Sequence, residues 1–248
     1  MKRTVLLIMS ILLSAVVLNA QILKNVLKKD STGKNSIDKV FSGGKLGSGL
    51  SSDEIASGLK EALQVGATKG SDKLSAVDGF FKDAAVKILM PDEAKKVEKT
   101  LRGMGLGAQV DDAILSMNRA AEDAAKSAAP IFINAIKQMS ISDALGILQG
   151  GDFAATNYLK EKTTSALTEA FRPVIEKSLD KVNATKYWNT IFTTYNKFSL
   201  QKVNPDLTAY VTEKGLAGIF YQVGQEEQQI RKDPLARTSD LLKKVFAK

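Results

Sequence analysis

The chain has 248 residues, of which 44% are hydrophobic and 25% are charged, a composition typical of a globular protein that buries a core. It contains no cysteine and no histidine. Without cysteine there is no disulfide framework, thiol nucleophile or lipid-anchored cysteine. Without histidine, serine triads and histidine-based zinc sites are excluded.

The first residues have the layout of a secretory signal peptide. A basic start at Lys2 and Arg3 is followed by an apolar run over 5–17 and by the small Ala20. This run is shorter than the roughly 18 to 20 residues that span a bilayer, and no later stretch comes close. We therefore predict a cleaved signal peptide over 1–20 and a periplasmic or secreted protein without a transmembrane segment.

A basic segment rich in glycine and serine follows over 21–50. It has six lysines against two aspartates and so holds +4 of the chain's formal charge of +8, whereas residues 51–248 hold +2. We predict a flexible linker, because this composition buries too little apolar area to fold. Peripheral contact of its lysines with a membrane or cell wall is the alternative. The nearly neutral remainder argues against nucleic-acid binding.

Apolar residues recur at helical spacing through 51–248, and no stretch alternates like a strand. We therefore predict one all-α domain, a bundle of roughly eight to ten helices. The predicted helices cover about 52–65, 71–89, 92–102, 110–128, 142–148, a long stretch from 152 with a boundary or kink at Pro173, 187–198, 207–223 and 241–246.

A stripe of small residues distinguishes the helix over 110–128, where alanines recur at 121, 124, 125 and 128. Small side chains let neighbouring helices approach closely, so we expect this helix at the centre of the bundle. Pro130 lacks a backbone N–H donor and predicts a kink just beyond the stripe.

The motifs of well-known enzymes are not matched. The stretch over 43–45 resembles a phosphate loop, but no strand precedes it and Leu46 stands where serine or threonine is needed. The Ser-x-x-Lys pairs that begin at Ser57 and Ser178 lack the companion motifs of penicillin-binding enzymes. No substrate class follows from these segments.

Two groups of charged residues lie on stripes that their apolar neighbours predict to be partly buried. In the first group, Asn118 and Glu122 share a helix face, and Arg119 lies three residues before Glu122. In the second group, Glu227 and Arg231 form an i, i+4 pair in the favourable order. Each group fits either ion pairs that fix helix register or a polar ligand pocket.

We predict that this polar site binds a small ligand, a lipid or an envelope protein without catalysis. No cofactor is predicted, Ca²⁺ is kept as the alternative, and no metal ligands are assigned. The candidate ligand-binding residues are Asn118, Arg119, Glu122, Asp143, Thr156, Tyr158, Glu226, Glu227, Arg231 and Arg237.

Two other functions stay open. One is a carboxylate-dependent hydrolase of the cell envelope, with or without a divalent cation, which requires two acids about 5 to 10 Å apart. The other is a structural or assembly module whose aromatic residues are exposed interface anchors, although such aromatics more often belong to a core. The acids considered are Asp111, Asp112, Glu122, Asp143, Glu226 and Glu227. The aromatics considered are Tyr187, Trp188, Tyr195 and Phe198.

The same segments resemble a bacterial family of exported helical proteins known only as a domain of unknown function, numbered 4197. The resemblance covers about residues 50–246. It implies export and a helical fold, and it supplies no activity and no catalytic residues. The matching stretches are 118–122, 139–144, 147–150, 154–158, 171–173, 206–211, 218–220 and 226–237.

Overall fold

The computed structural model describes residues 50–198, 200, 202, 206–233, 243 and 245. Over these residues the chain is predominantly helical and contains no strand, which confirms the predicted all-α fold. The predicted signal peptide, the predicted linker except Leu50, and Arg237 lie outside the described residues. So does most of the predicted last helix, of which Lys243 and Val245 are described and are helical.

Eight α-helices and one 3-10 turn follow one another along the described chain. The first four are α1 (Ser52–Ser75), α2 (Lys95–Gly103, preceded by the 3-10 turn Asp92–Ala94), α3 (Gly107–Ala125) and α4 (Ala128–Gln138). The other four are α5 (Ile141–Gln149), α6 (Ala154–Asp180), α7 (Ala184–Phe198) and α8 (Leu207–Lys232).

Helix α3 lies at the centre of the bundle, as the stripe of small residues predicts. It packs against α1, α6 and α8, and its alanines on this face are fully buried. Gly215 of α8 comes so close that a Cβ atom at that position would lie 3.7 Å from the Cβ of Ala121. Small residues on both helices therefore permit the close approach.

The predicted kink at Pro130 is instead a break between two helices. Helix α3 ends at Ala125, and α4 begins at Ala128 with Pro130 in its first turn. A proline is tolerated there because the first backbone N–H groups of a helix have no acceptor within it. Conversely, Pro173 lies inside the continuous helix α6, so it marks no boundary.

The predicted helix over 71–89 is wrong. Helix α1 runs on to Ser75, and a loop of turns covers 76–90. Asp78 has a φ of 70°, in the left-handed region, and any Cβ on the next residue, Gly79, would lie 2.4 Å from the carbonyl oxygen of Lys73. The chain therefore reverses at this Asp-Gly pair instead of continuing as a helix.

Two predicted helix starts are confirmed by their hydrogen bonds. Ser51 and Glu54 form a capping box at the start of α1, and Ser140 and Asp143 form one at the start of α5. Helix α6 differs, because Phe153 precedes it and supplies no side-chain cap. Its cap comes from another helix, as described below.

No single helix in the described part of the chain is both long and apolar enough to cross a membrane. Taken together, α4 and α5 have a sufficient length and composition, but they are bent by 106° at the break between them.

Candidate functional site

The first predicted polar group holds the loop over 76–90 against α3. Glu122 is buried, and its Oε1 accepts hydrogen bonds from the backbone N–H groups of Phe80 and Phe81, both at 3.1 Å. Its Oε2 accepts a hydrogen bond from Nη1 of Arg119 at 2.6 Å. The carboxylate thus binds the protein's own backbone and a neighbouring guanidinium.

Arg119 extends this network to Asp78. Its Nη2 donates to Oδ1 of Asp78 at 2.6 Å, and Nζ of Lys82 lies 2.7 Å from the other oxygen of that carboxylate. The hydrogen bonds from Lys82 and Arg119 hold the pKa of the Asp78 carboxyl below its usual value of 3.8. The hydrogen bonds to Glu122 and Asp78 raise the pKa of Arg119. The unusual backbone of Asp78 is therefore fixed by its charged partners.

Asn118 fixes the far end of the same loop. Its side chain is fully buried, accepts from the N–H of Ile88 at 2.8 Å, and donates to the carbonyl of Ile88 at 2.8 Å. The same amide also donates to the carbonyl of Ile114 at 2.7 Å. Both the amide oxygen and the amide nitrogen of Asn118 are therefore hydrogen-bonded to backbone atoms.

The second predicted group joins α8 to the ends of α5 and α6. Glu227 accepts hydrogen bonds from the N–H of Ala155 at 3.0 Å and the N–H of Thr156 at 2.8 Å, and the Thr156 hydroxyl donates to it at 2.7 Å. Glu227 therefore caps the N-terminus of α6, where a carboxylate is favoured by the helix dipole.

Arg231 completes this cluster. Its Nε donates to Glu227 at 2.9 Å, and its Nη2 donates to the carbonyl of Ile147 near the C-terminus of α5 at 2.8 Å. Glu227 and Arg231, one turn apart on α8, thus provide hydrogen-bond partners for the N-terminus of α6 and the C-terminus of α5. Among the described residues, Thr185 Oγ1 is the only buried side-chain oxygen or nitrogen without a hydrogen-bond partner.

The remaining predicted site residues lie outside these two clusters. Asp143 serves the capping box of α5, and its hydrogen bonds from the hydroxyl and backbone N–H of Ser140 lower its pKa. Tyr158 is half-buried, and desolvation raises the pKa of its phenol. Glu226 accepts a hydrogen bond from Gln222 at 3.2 Å. The structure therefore does not bring all ten candidates together.

The acids considered for a hydrolase are distributed among separate partners. Asp111 pairs with Arg102 at 2.7 Å, while Glu122 and Glu227 have the arginine partners given above. Within the described residues, no group of three or more acidic side chains is placed to hold a metal ion. Ligand binding by the polar groups, the Ca²⁺ alternative and hydrolysis all stay predictions.

An apolar cleft lies apart from the two polar clusters, none of whose residues lines it. It has a volume of about 720 Å³ and lies between α2, α3 and α7, with Met90 and Leu207 also in its walls. The buried side chains Val110, Met117 and Trp188 form its floor, and the exposed Gln109 and Asp112 lie at its rim. Its other lining residues are Ala94, Val97, Glu98, Leu101, Leu106, Ala113, Leu115, Ser116, Val182, Ala184 and Phe192.

Two aromatic side chains of α7, Trp188 and Phe192, belong to the lining of the cleft. The ring centroids of Trp188 and Phe192 are 4.4 Å apart, and Trp188 stacks on Tyr210 of α8 at 6.4 Å. Trp188 is 5% exposed, so it is not an exposed interface anchor, and Tyr195 is half-buried. The side chains of Tyr187 and Phe198 lie outside the described residues.

Sequence reasoning missed the cleft because its walls carry ordinary core residues. The spacing of Tyr187, Ile191, Tyr195 and Phe198 predicts a helix with an aromatic face. It does not say whether neighbouring helices fill the space before that face.

Comparison with protein families matches residues 49–247 to a family described as a protein of unknown function, DUF4197. This match covers most of the chain. The chain belongs to the DUF4197 family. The resemblance seen in the sequence is thereby confirmed, and in this DUF4197 protein it extends over all the helices that the structure describes. Neither the search of curated proteins nor the search of solved structures gave a match.

Proposed function

We propose that this DUF4197 protein is an exported, non-enzymatic binding protein that holds the apolar chain of a lipid in the cleft between α2, α3 and α7. The observation that carries this proposal is the open apolar cleft itself, with the tryptophan ring of α7 in its floor.

The size and lining of the cleft favour a small apolar ligand. Its volume of about 720 Å³ falls within the roughly 300 to 1,000 Å³ typical of small-molecule sites, which are mostly apolar with a few polar groups. Met90 and Met117 add flexible, polarisable surface that adapts to an unbranched chain. Burial of apolar surface drives such binding without any charged partner in the floor.

The two polar clusters offer less to a ligand. Glu122, Asn118 and Glu227 direct their hydrogen bonds to backbone groups of neighbouring segments. A ligand that took those bonds would leave buried backbone N–H groups unpaired, at a cost of about 1 to 3 kcal/mol each. The clusters are thus better suited to hold the walls of the bundle in place.

The N-terminal segment supports the exported part of the proposal, because its basic start and apolar run have the layout of a signal peptide. Recovery from the periplasm or culture medium of the host, with an N-terminus near Gln21, is the expected result. Retention in the cytoplasm with an intact N-terminus would contradict export while leaving the binding proposal open to its own test.

The binding proposal can be tested with the chain's single tryptophan. N-phenyl-1-naphthylamine, a fluorescent apolar probe, should bind in the cleft, take up excitation energy from Trp188 and be displaced by oleyl alcohol. Ala113→Phe places a ring among the cleft residues and should weaken probe binding by about tenfold or more, because it fills the volume that the probe needs.

Ala108→Phe is the matched control, since Ala108 lies on the same helix but is exposed and outside the cleft lining. It should bind the probe as the unaltered chain does, and both variants should melt within a few degrees of it. Absence of probe binding to the unaltered chain, or equal binding by Ala113→Phe, would overturn the proposal.

A further inference from the structure

A second, polar pocket lies beside the apolar cleft. Its volume is about 420 Å³, and Met90 belongs to the walls of both. The 3-10 turn before α2 stands between them, with Asp92 and Glu93 lining the polar pocket and Ala94 lining the cleft. A molecule with an apolar chain and a polar head can therefore occupy both spaces.

Tyr210 forms the partition on the α8 side. Its ring lines the polar pocket and stacks on Trp188, which belongs to the floor of the cleft. Its hydroxyl donates to the carbonyl of Leu89 at 2.7 Å, which holds the end of the loop over 76–90 in place. Tyr210 thus separates the two spaces on the α8 side, and a ligand that occupies both passes along Met90, which lines both.

The polar pocket presents charges of both signs that are not paired with each other. Asp92 is neutralised by Lys95 at 2.7 Å, outside the pocket lining. Glu93 and Glu213 form no ion pair among the described residues, and Lys214 interacts with the Tyr210 ring at 5.6 Å. Lys202 donates to the carbonyl of Asn196 and forms no ion pair with an acid of the described residues.

This arrangement discriminates between classes of head group. A head group with only negative charge meets Glu93 and Glu213, and one with only positive charge meets Lys202 and Lys214. A head group that carries a phosphate and an ammonium can pair with both kinds of residue, and charge-assisted hydrogen bonds are the stronger ones.

We infer that the ligand of the cleft is a zwitterionic phospholipid, of which one acyl chain lies in the cleft and the head group lies in the pocket of Glu93, Lys202, Glu213 and Lys214. This inference rests on the function proposed above and adds the chemical class of the ligand. The phosphate pairs with Lys202 and Lys214, and the ammonium pairs with the two glutamates.

The test compares three probes on the full chain, produced in its own host so that it is processed there: dioleoyl phosphatidylethanolamine, dioleoyl phosphatidylglycerol and oleyl alcohol. Each is titrated in detergent as a competitor of N-phenyl-1-naphthylamine. The unaltered chain should prefer the zwitterionic lipid over the anionic one by about two- to fivefold, the scale of one ion pair between exposed groups.

Two variants and a control locate the effect. The double variant E93Q/E213Q should lose the preference between the two phospholipids, and Lys214→Gln should weaken both of them by about two- to fivefold, since Lys214 is exposed. Neither change should alter the affinity for oleyl alcohol, which has no charged head group. Lys177→Gln, an exposed change on α6 outside the pocket, should leave all three affinities unchanged.

The outcomes separate this inference from the proposed function. Binding of oleyl alcohol with no preference between the phospholipids, or with a preference for the anionic one, overturns the head-group inference and leaves the lipid cleft standing. Failure of all three probes to compete overturns the proposed function itself. An unchanged preference in E93Q/E213Q also overturns the inference.

Discussion

The polar clusters and the apolar cleft differ in how their side chains are engaged. In the clusters, buried groups such as Glu122 and Asn118 have hydrogen-bond partners within the chain, mostly backbone atoms of a neighbouring loop or helix. In the cleft, the side chains of Val110 and Trp188 border about 720 Å³ that no side chain of the described residues fills. Buried polar groups therefore hold this bundle together, while its capacity for a ligand lies where apolar packing is incomplete.

The largest expected effect is the loss of stability in Glu122→Gln. The change leaves Arg119 without its buried partner and removes the charge that two loop N–H groups bind. Breaking a buried ion pair costs about 3 to 5 kcal/mol, and we expect the lower end because Arg119 keeps Asp78. The free energy of unfolding in urea measures this loss.

Glu61→Gln is the control for that change, because Glu61 is exposed on α1, and it should alter stability by less than about 0.5 kcal/mol. Below its melting temperature, Glu122→Gln should still bind the apolar probe, since Glu122 does not line the cleft. If Glu122→Gln kept full stability but lost probe binding, Glu122 would be a ligand-binding residue and the polar cluster, not the cleft, would be the binding site.

A somewhat smaller effect is expected at the second cluster, where two adjacent glutamates can be compared. Glu227→Gln weakens the cap of α6 and the pair with Arg231, at a cost of about 2 kcal/mol. Arg231 retains the carbonyl of Ile147 as a hydrogen-bond acceptor, which limits the loss.

Glu226→Gln should change the free energy of unfolding by less than about 0.5 kcal/mol, because Glu226 is half-buried and bonds only the side chain of Gln222. Equal losses in the two variants would show that position on α8, and not the cap of α6, determines the effect.

Much of the fold follows from local signals in the sequence. A serine at 51 or 52 before two acids predicts the start of α1, a serine at 140 or 142 predicts that of α5, and the glycines around 105 predict the gap between α2 and α3. The loop over 76–90 escaped prediction because its apolar residues repeat at helical spacing. The turn at Asp78-Gly79 and the hydrogen bonds from the loop backbone to the distant Asn118 and Glu122 fix a non-helical conformation in spite of that spacing.

The candidate site likewise has a part that the sequence predicts and a part that it does not. The sequence predicts the pairing of Arg119 with Glu122 and of Glu227 with Arg231, because each pair lies within about one helical turn. The backbone groups that these carboxylates bind lie about 40 to 70 residues away in sequence. The cleft exists because α2, α3 and α7 leave a space between them, and no local sequence pattern predicts such a space.

The smallest effect is expected at Tyr210, which separates the cleft from the polar pocket. Tyr210→Phe removes the hydrogen bond to Leu89 and should cost about 1 kcal/mol at neutral pH. Burial first, and then the charges of Asp92, Glu213 and Glu93, raise the pKa of Tyr210 from 10.0 to about 12.

The folded chain therefore keeps the phenol proton at pH values where the unfolded chain has begun to release it. This contribution to stability is fully present below about pH 10 and is lost as the pH rises towards about 12. Urea denaturation of the unaltered chain between these values should show a decline that is shallower in Tyr210→Phe. The exposed Tyr221→Phe is the control and should keep the full decline. Equal declines in all three proteins would mean that Tyr210 is as accessible as an exposed tyrosine. The partition between the apolar cleft and the charged pocket would then be open to water.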